Sequence, residues 1–172
     1  MNPVQSTIDA VRLLVSKPDQ YVVSLAQSDD EVRRAQALRF EVFNLELNEG
    51  LQDSFETGFD ADRFDPVCDH LLVKDVSSGR VVGTYRLQTG TNAAAYHGYY
   101  CEQEFEFSRF EWARSEIVEL GRACVQREHR NLVVLGLLWK GIADYARTHC
   151  GRYLLGCSSL TSQNPAVGAS AY

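Results

Sequence analysis

The chain has 172 residues, 45% of them hydrophobic and 23% charged, with a net charge of −6. This is one domain's worth of chain, able to bury about 70% of the surface its unfolded form exposes, so it needs no disulfide or structural metal to hold a core. The composition excludes a disordered, collagenous or coiled-coil protein. No apolar run reaches the roughly 18–20 residues of a membrane span, and a pI of about 5.2 argues against a nucleic-acid partner.

In chain order, residues 1–20 read as an N-terminal extension with neither the basic start nor the long apolar stretch of a signal peptide, so none is expected. Tyr21-Val22-Val23-Ser24-Leu25 is rich in β-branched and aromatic residues and predicts a strand. Ser28-Asp29-Asp30-Glu31 fits a capping box. Behind it Val32, Ala35, Leu38, Val42 and Leu45 recur at helical spacing, which predicts a helix from Asp29 to Leu47. Residues 51–66 have no clear period and predict a long polar loop of the kind that often carries function. His70 to Val73 and Val81 to Leu87 are strand-like, with Asp75-Val76-Ser77-Ser78-Gly79 as the turn of an antiparallel hairpin.

Residues 88–115 are mixed and aromatic-rich, a pattern that fits core packing and tunnel lining equally. Ile117 to Val125 predicts a further strand. Asn131 is a candidate N-cap for a helix with the stripe Leu135, Leu138, Trp139, Ile142 and Tyr145, and Tyr153 to Cys157 predicts the last strand. Residues 161–172 are a small, polar tail. Two consecutive strands with no helix between them argue against a doubly wound sheet. The order predicts an α+β domain over residues 21–160: a mixed, largely antiparallel sheet flanked by helices, closing on one β–α–β unit.

Charge is unevenly distributed. Between Glu41 and Asp65 eight acids face the single base Arg63, so this segment carries −7 and the rest of the chain +1. From Arg122 to Arg152 six bases face Glu128 and Asp144, for +4. Either these are two solvated faces, or the acidic loop meets a cation and the basic lobe an anion. The five cysteines show no C-x-x-C pair, and the four histidines show no ligand spacing, so no disulfide framework and no metal site is expected. A reduced, cytoplasmic protein is the expectation.

Particular residues stand out against this background. Arg39 and Phe43 lie four apart on the first helix, Asp62 and Asp65 three apart in the loop, Arg86 in an apolar strand, and Glu119 and Arg122 three apart on the next strand. This series resembles the acyl-homoserine-lactone synthases. The fuller strings Phe64-Asp65-Pro66-Val67-Cys68-Asp69-His70-Leu71-Leu72-Val73 and Glu119-Leu120-Gly121-Arg122-Ala123-Cys124-Val125 are more similar to the ornithine N-acyltransferases of ornithine-lipid synthesis, often labelled hemolysin-like. Both belong to the GNAT superfamily, and the resemblance covers Tyr21 to Leu160.

The resemblance implies a GNAT fold and transfer of a long acyl chain, 3-hydroxylated or not, from acyl-carrier protein to the α-amine of an amino acid, ornithine first. Another acceptor, as in an N-acyl amino acid or acyl-homoserine-lactone synthase, is the nearest alternative. A non-catalytic lipid- or partner-binding module is the rival. No tightly bound cofactor is implied, only an acyl-phosphopantetheine thioester, and contact with a membrane would be at most peripheral. In the implied site Glu119 takes the amine's proton, with Arg122 beside it. The acceptor falls to Arg39, Asp62, Asp65 and Arg86, and the donor to Leu120, Gly121, Val125 and Arg130.

Glu119 and Arg122 would point to opposite faces of a regular strand, and a bulge, for which Gly121 is suited, would reset that alternation. By spacing alone the two fit a buried structural ion pair as well as a catalytic pair. Asp62 and Asp65 could equally cap a turn or pair with Arg39 or Arg86. Cys124 reads as a buried, inert thiol. Two departures from the pattern matter. Acetyl-CoA-using members carry a glycine-rich turn after the fourth strand, but here the run is Arg130-Asn131-Leu132-Val133-Val134, which favours carrier-protein phosphopantetheine over CoA. The ornithine N-acyltransferases also continue past the equivalent of Leu160, so a fragment or a reduced member is expected.

Overall fold

The computed structural model describes residues 18–158 and Ala166. Most of the expected N-terminal extension, and the polar tail apart from Ala166, lie outside the described residues.

Five strands line up in chain order: β1 (Tyr21–Leu25), β2 (Asp69–Asp75), β3 (Val81–Thr89), β4 (Ile117–Val125) and β5 (Tyr153–Leu155). The first three pairings are antiparallel and β4–β5 is parallel. The helix joining β4 to β5, α4 (Leu132–Thr148), is the crossover that a parallel pair requires.

Strand alternation builds two cores, one on each face of the sheet. On one face Tyr21, Leu71, Val73, Val82, Leu87 and Val118 pack against Val134, Leu138, Ile142 and Tyr145 of α4. A Cβ at Gly141 would stand 2.7 Å from a Leu71 methyl, so its absence lets α4 lie close on the sheet. The expected α4 stripe is only half buried: Leu135 and Trp139 are 45% and 48% exposed, because Val134, Gly141 and Ala146 take the inner positions. On the other face α1 (Asp29–Arg39) sets Ala35 and Leu38 against Leu72, Val81 and Cys124. A third cluster forms where the short helix α3 (Gly90–Ala95) and the turns after it fold back on β4. It buries Tyr99 and Phe107 and leaves Tyr96, Phe105, Phe110 and Trp112 exposed. The aromatic stretch is therefore core at two positions, half-buried at Tyr100 and surface at four.

The helix predicted over Asp29–Leu47 is α-helical only to Arg39 and continues as a π-helix over Phe40–Glu46, with Leu47 N–H reaching the Val42 carbonyl. The wider turn shifts the face by one position. Leu45 points outward at 63% exposure, and Asn44 takes the buried place, its Nδ2 donating to the Leu51 carbonyl at 2.8 Å. A Cβ at Gly50 would collide with that carboxamide. Ser28 caps α1 through Glu31 N–H, and Glu31 reaches back to the Gln27 amide at 2.7 Å, one residue before the expected Ser28. The predicted loop contains a single-turn helix, α2 (Ser54–Thr57), and a 3-10 turn at Asp65–Val67. Strand β5 ends at Leu155, short of the expected Cys157.

Candidate active site

Loop residues 51–66 fold over the α1 face of the sheet, and buried charges hold them there. Arg39 Nη2 donates to both Asp65 oxygens at 2.8 Å and also to the Asp60 carbonyl, while its Nε stands 3.0 Å from Asp60 Oδ1. Arg122 closes on the Asp60 carboxylate, with Nε donating at 3.0 Å, and stacks over the Phe43 ring. Arg86 Nη1 donates to Asp62 Oδ1 at 2.6 Å and lies 3.4 Å from Asp65 Oδ1. Three aspartates of the loop thus meet three arginines, one each from α1, β3 and β4. Neutralisation of this kind is what makes such burial tolerable.

His70 lies beneath the network, 2% exposed. Its Nε2 is 3.1 Å from the Asp65 carbonyl, and a carbonyl can only accept, so Nε2 carries the proton. Burial pushes the His70 pKa down, outweighing the pull of Asp65. Burial opposes the charge on Asp65, but Arg39, Arg86 and the Asp62 amide overcome it and hold this carboxyl below the usual range.

β4 does carry a bulge here. Thr84 pairs with Cys124 and Arg86 with Gly121, so β4 carries one residue more than β3 between these pairs. The left-handed conformation falls on Arg122, at φ 48°, and not on Gly121. The extra residue brings Arg122 to the face that Glu119 and Arg86 share. The two do not pair: Arg122 binds Asp60, and Glu119 turns to the segment after α3. Glu119, 6% exposed, accepts from Tyr100 N–H at 2.9 Å and Cys101 N–H at 2.7 Å. Directly across the ladder Gln88 donates through Nε2 to the Gly98 carbonyl at 3.1 Å. Adjacent side chains of β3 and β4 therefore grip the same four-residue strip.

β4 and β5 part beyond Glu119, whose partner Leu155 is the last residue of β5. Leu120 and Gly121 therefore lie on a strand edge with no β-partner on that side among the described residues. Val125 ends β4, and its carbonyl accepts from Arg130 Nε at 3.0 Å. Asn131 caps α4 by accepting from the Val133 and Val134 amides, both at 3.0 Å.

The uneven charge resolves within the chain. Glu46 takes Arg130 at 2.7 and 2.8 Å and Arg127 at 3.3 Å, Asp144 takes Lys140 and Arg147, and Glu116 lies 3.4 Å from Arg152. Asp60 and Glu46 of the acidic segment meet Arg122, Arg127 and Arg130 of the basic lobe, while Lys140, Arg147 and Arg152 find acids elsewhere. Asp62 and Arg122 keep side-chain exposures of 23% and 22%, whereas Arg39 and Asp65 have 1% and 2%.

Among the described residues no cluster of His, Cys, Asp and Glu could hold a metal ion, and no helix is long and apolar enough to cross a membrane. Sequence reasoning did not single out Asp60, His70 or Gln88 as site residues. Asp60 was legible only as one of the loop's acids and His70 only as a member of the string Phe64–Val73, and nothing in the sequence marked Gln88.

A mostly antiparallel sheet that splits at its one parallel pair, with ionisable groups gathered beside the split, is the frame of a GNAT-type domain. Residues 38–140 match the family model described as acetyltransferase (GNAT) domain, and the chain belongs to that family. Among curated proteins it is 38% identical over 156 residues to an L-ornithine N(alpha)-acyltransferase of Brucella abortus, covering 86% of this chain and 55% of that protein. It is 34% identical to the protein of the same name from Rhodobacter capsulatus, covering 85% and 59%. The chain thus spans just over half the length of these relatives. Among solved structures it superposes on the AHL synthase LasI with a TM-score of 0.56 at 16% identity, covering 88% of this chain and 75% of that one, a likeness of fold.

Proposed function

We propose that this chain is an N-acyltransferase that moves a long acyl chain, 3-hydroxylated or not, from the thioester of acyl-carrier protein to the α-amine of ornithine. The observation that carries the reading is the placement of Glu119 where β4 and β5 separate, on the face it shares with Arg86, Arg122 and Asp62. The relatives named for ornithine acylation support the acceptor.

The thioester lies along β4 past its last pairing with β5, at Gly121 and the bulge beyond the Leu120 carbonyl that Gly156 approaches, where backbone amides polarise its carbonyl. The uncharged amine attacks that carbon, the C–S bond breaks, and the phosphopantetheine sulfur leaves as the amide forms. Glu119 takes the amine's proton, directly or through water. Its two backbone donors fix the carboxylate for that purpose. Asp62, the loop aspartate of the network open to solvent, holds the side-chain ammonium, and Arg86 and Arg122 face the acceptor's carboxylate. Arg39 and Asp65, closed on each other, position the loop.

The carrier-protein preference is supported by the α4 N-terminus. Two of its first-turn amides are already taken by Asn131, and the adjoining residues are Leu132, Val133 and Val134. A pyrophosphate has fewer donors there than a bare helix end offers. The reading is tested by incubating the purified chain with matched acyl-carrier-protein and acyl-CoA donors and a panel of amino acids, with mass spectrometry of the products. N-acyl ornithine formed from the carrier-protein donor is expected. Equal acylation of leucine or tyrosine would remove the acceptor assignment, and equal turnover with acyl-CoA the donor assignment.

A further inference from the structure

Cys101 and Cys157 are 56 residues apart in sequence, yet their sulfurs stand 3.3 Å apart. Among the described residues this is the one sulfur–sulfur contact. Cys101 is 3% exposed and sits in the 3-10 turn Tyr100–Gln103, whose amides grip Glu119. Cys157 is exposed and lies two residues beyond β5. A Cβ on its neighbour Gly156 would lie 2.8 Å from the Leu120 carbonyl, so this strip passes against β4 just past its last pairing with β5. The two sulfurs thus belong to the two strips flanking Glu119.

We propose that Cys101 and Cys157 are an oxidative modification site: under peroxide they form a reversible disulfide that joins the two strips beside Glu119. A disulfide needs sulfurs about 2.05 Å apart, and rotating the exposed Cys157 side chain supplies the remaining approach of roughly 1.3 Å. The exposed Cys157 thiolate attacks a peroxide oxygen, giving a sulfenic acid and, once protons are taken up, water. The Cys101 sulfur then attacks the Cys157 sulfur, the S–S bond forms, and a second water leaves with the Cys101 proton. Two thiols are oxidised, one hydrogen peroxide is reduced to two waters, and a dithiol reductant reverses the change. Burial pushes the thiol of Cys101 up, with Glu119 adding to the effect, and burial also raises that of Cys157. Bridging therefore speeds up as pH rises.

The experiment treats the reduced, purified full chain with a modest excess of hydrogen peroxide at mildly alkaline pH. It is followed by denaturation, alkylation, intact mass and peptide mapping, with amide hydrogen exchange on a parallel sample. Expected are a loss of two hydrogens, alkylation at three of the five cysteines, and a peptide pair joined through Cys101 and Cys157 that separates on reduction. The pair should persist in Cys150→Ser and vanish in Cys157→Ser, an exposed change that leaves the fold intact. Exchange over residues 98–103 and 153–158 should slow in the bridged form. Full alkylation of Cys101 after treatment, a Cys150–Cys157 pair instead, or unchanged exchange in the bridged form would each overturn the proposal. None of these readouts depends on acyl transfer, so the outcome is independent of the catalytic reading.

Discussion

A single nitrogen of Arg39 donates to both oxygens of Asp65 at 2.8 Å, with each side chain at most 2% exposed. This pair ties the acidic loop to α1, and Asp60 extends the tie to Arg122 on β4. Removing one partner of a buried pair costs about 3–5 kcal/mol, because the other charge is left uncompensated. Arg39→Met should lower the urea midpoint accordingly. Arg39→Lys should recover only part of the loss, since an ammonium cannot reproduce the guanidinium's several donors. An unchanged midpoint in Arg39→Met would show that the loop is held by something else.

Stability should fall on acidification in two stages. His70 is buried and neutral with its pKa pushed down, so below about 6.5 the unfolded chain binds a proton that the folded chain refuses. Stability therefore drops as pH falls through that value. The second stage belongs to Asp65, whose carboxyl is held below the usual range. Its contribution is fully present above about 3.9 and is lost as pH falls towards its folded value. Urea midpoints across a pH series would test both stages, and His70→Gln should remove the first alone.

Much of this fold was legible because periodicity reports burial. The strand at Tyr21–Leu25, the Asn131 cap and the β4 strand all follow from local pattern. The π-helix was not legible: an i→i+5 turn does not show in 3.6-residue spacing, and Leu45 and Asn44 exchanged roles. Pairing of Asp62 and Asp65 with Arg39 and Arg86 was legible as one of two options, but the partner of Arg122 was not. Asp60 meets Arg122 across 62 positions, and Gln88 reaches Gly98 through a non-repeating segment. The charge pattern left solvated faces and outside ligands equally open, and it did not show that Asp60 and Glu46 meet Arg122, Arg127 and Arg130 within the chain.

The α4 cap bears on donor choice. Asn131→Ala frees the Val133 and Val134 amides and should cost about 1 kcal/mol of stability, as loss of an N-cap does. It should also narrow the preference for acyl-carrier protein over acyl-CoA, because the freed donors can meet the pyrophosphate. The ratio of kcat/KM values for the two donors is the measurement. A ratio that stays fixed while stability falls would confine Asn131 to holding the helix.

Asp62 and Glu119 should separate in kinetics. Asp62 is 23% exposed and pairs with Arg86, so a substrate ammonium can join it without opening the core. The contact of the substrate with Asp62 is worth up to about 1 kcal/mol, so Asp62→Asn should raise KM for ornithine by several-fold with kcat near its starting value. Arg86 is 5% exposed and keeps only Asp65, at 3.4 Å, as a charged partner, so the urea midpoint should also fall and is read separately from KM. Glu119→Gln acts differently. Losing a general base costs about 10²–10⁴ in rate, so kcat should collapse at similar KM. The new amide also turns a donor towards Tyr100 N–H or Cys101 N–H, where a carboxylate oxygen accepted, and leaves one of these amides unsatisfied at about 1–3 kcal/mol. That structural loss alone could lower activity, so Gln88→Leu serves as the control. It releases the same strip at Gly98 without touching a group that can take a proton. If Gln88→Leu lowers kcat as far as Glu119→Gln, then Glu119 acts by holding the strip. If kcat in Gln88→Leu falls much less than in Glu119→Gln, proton removal by Glu119 stands.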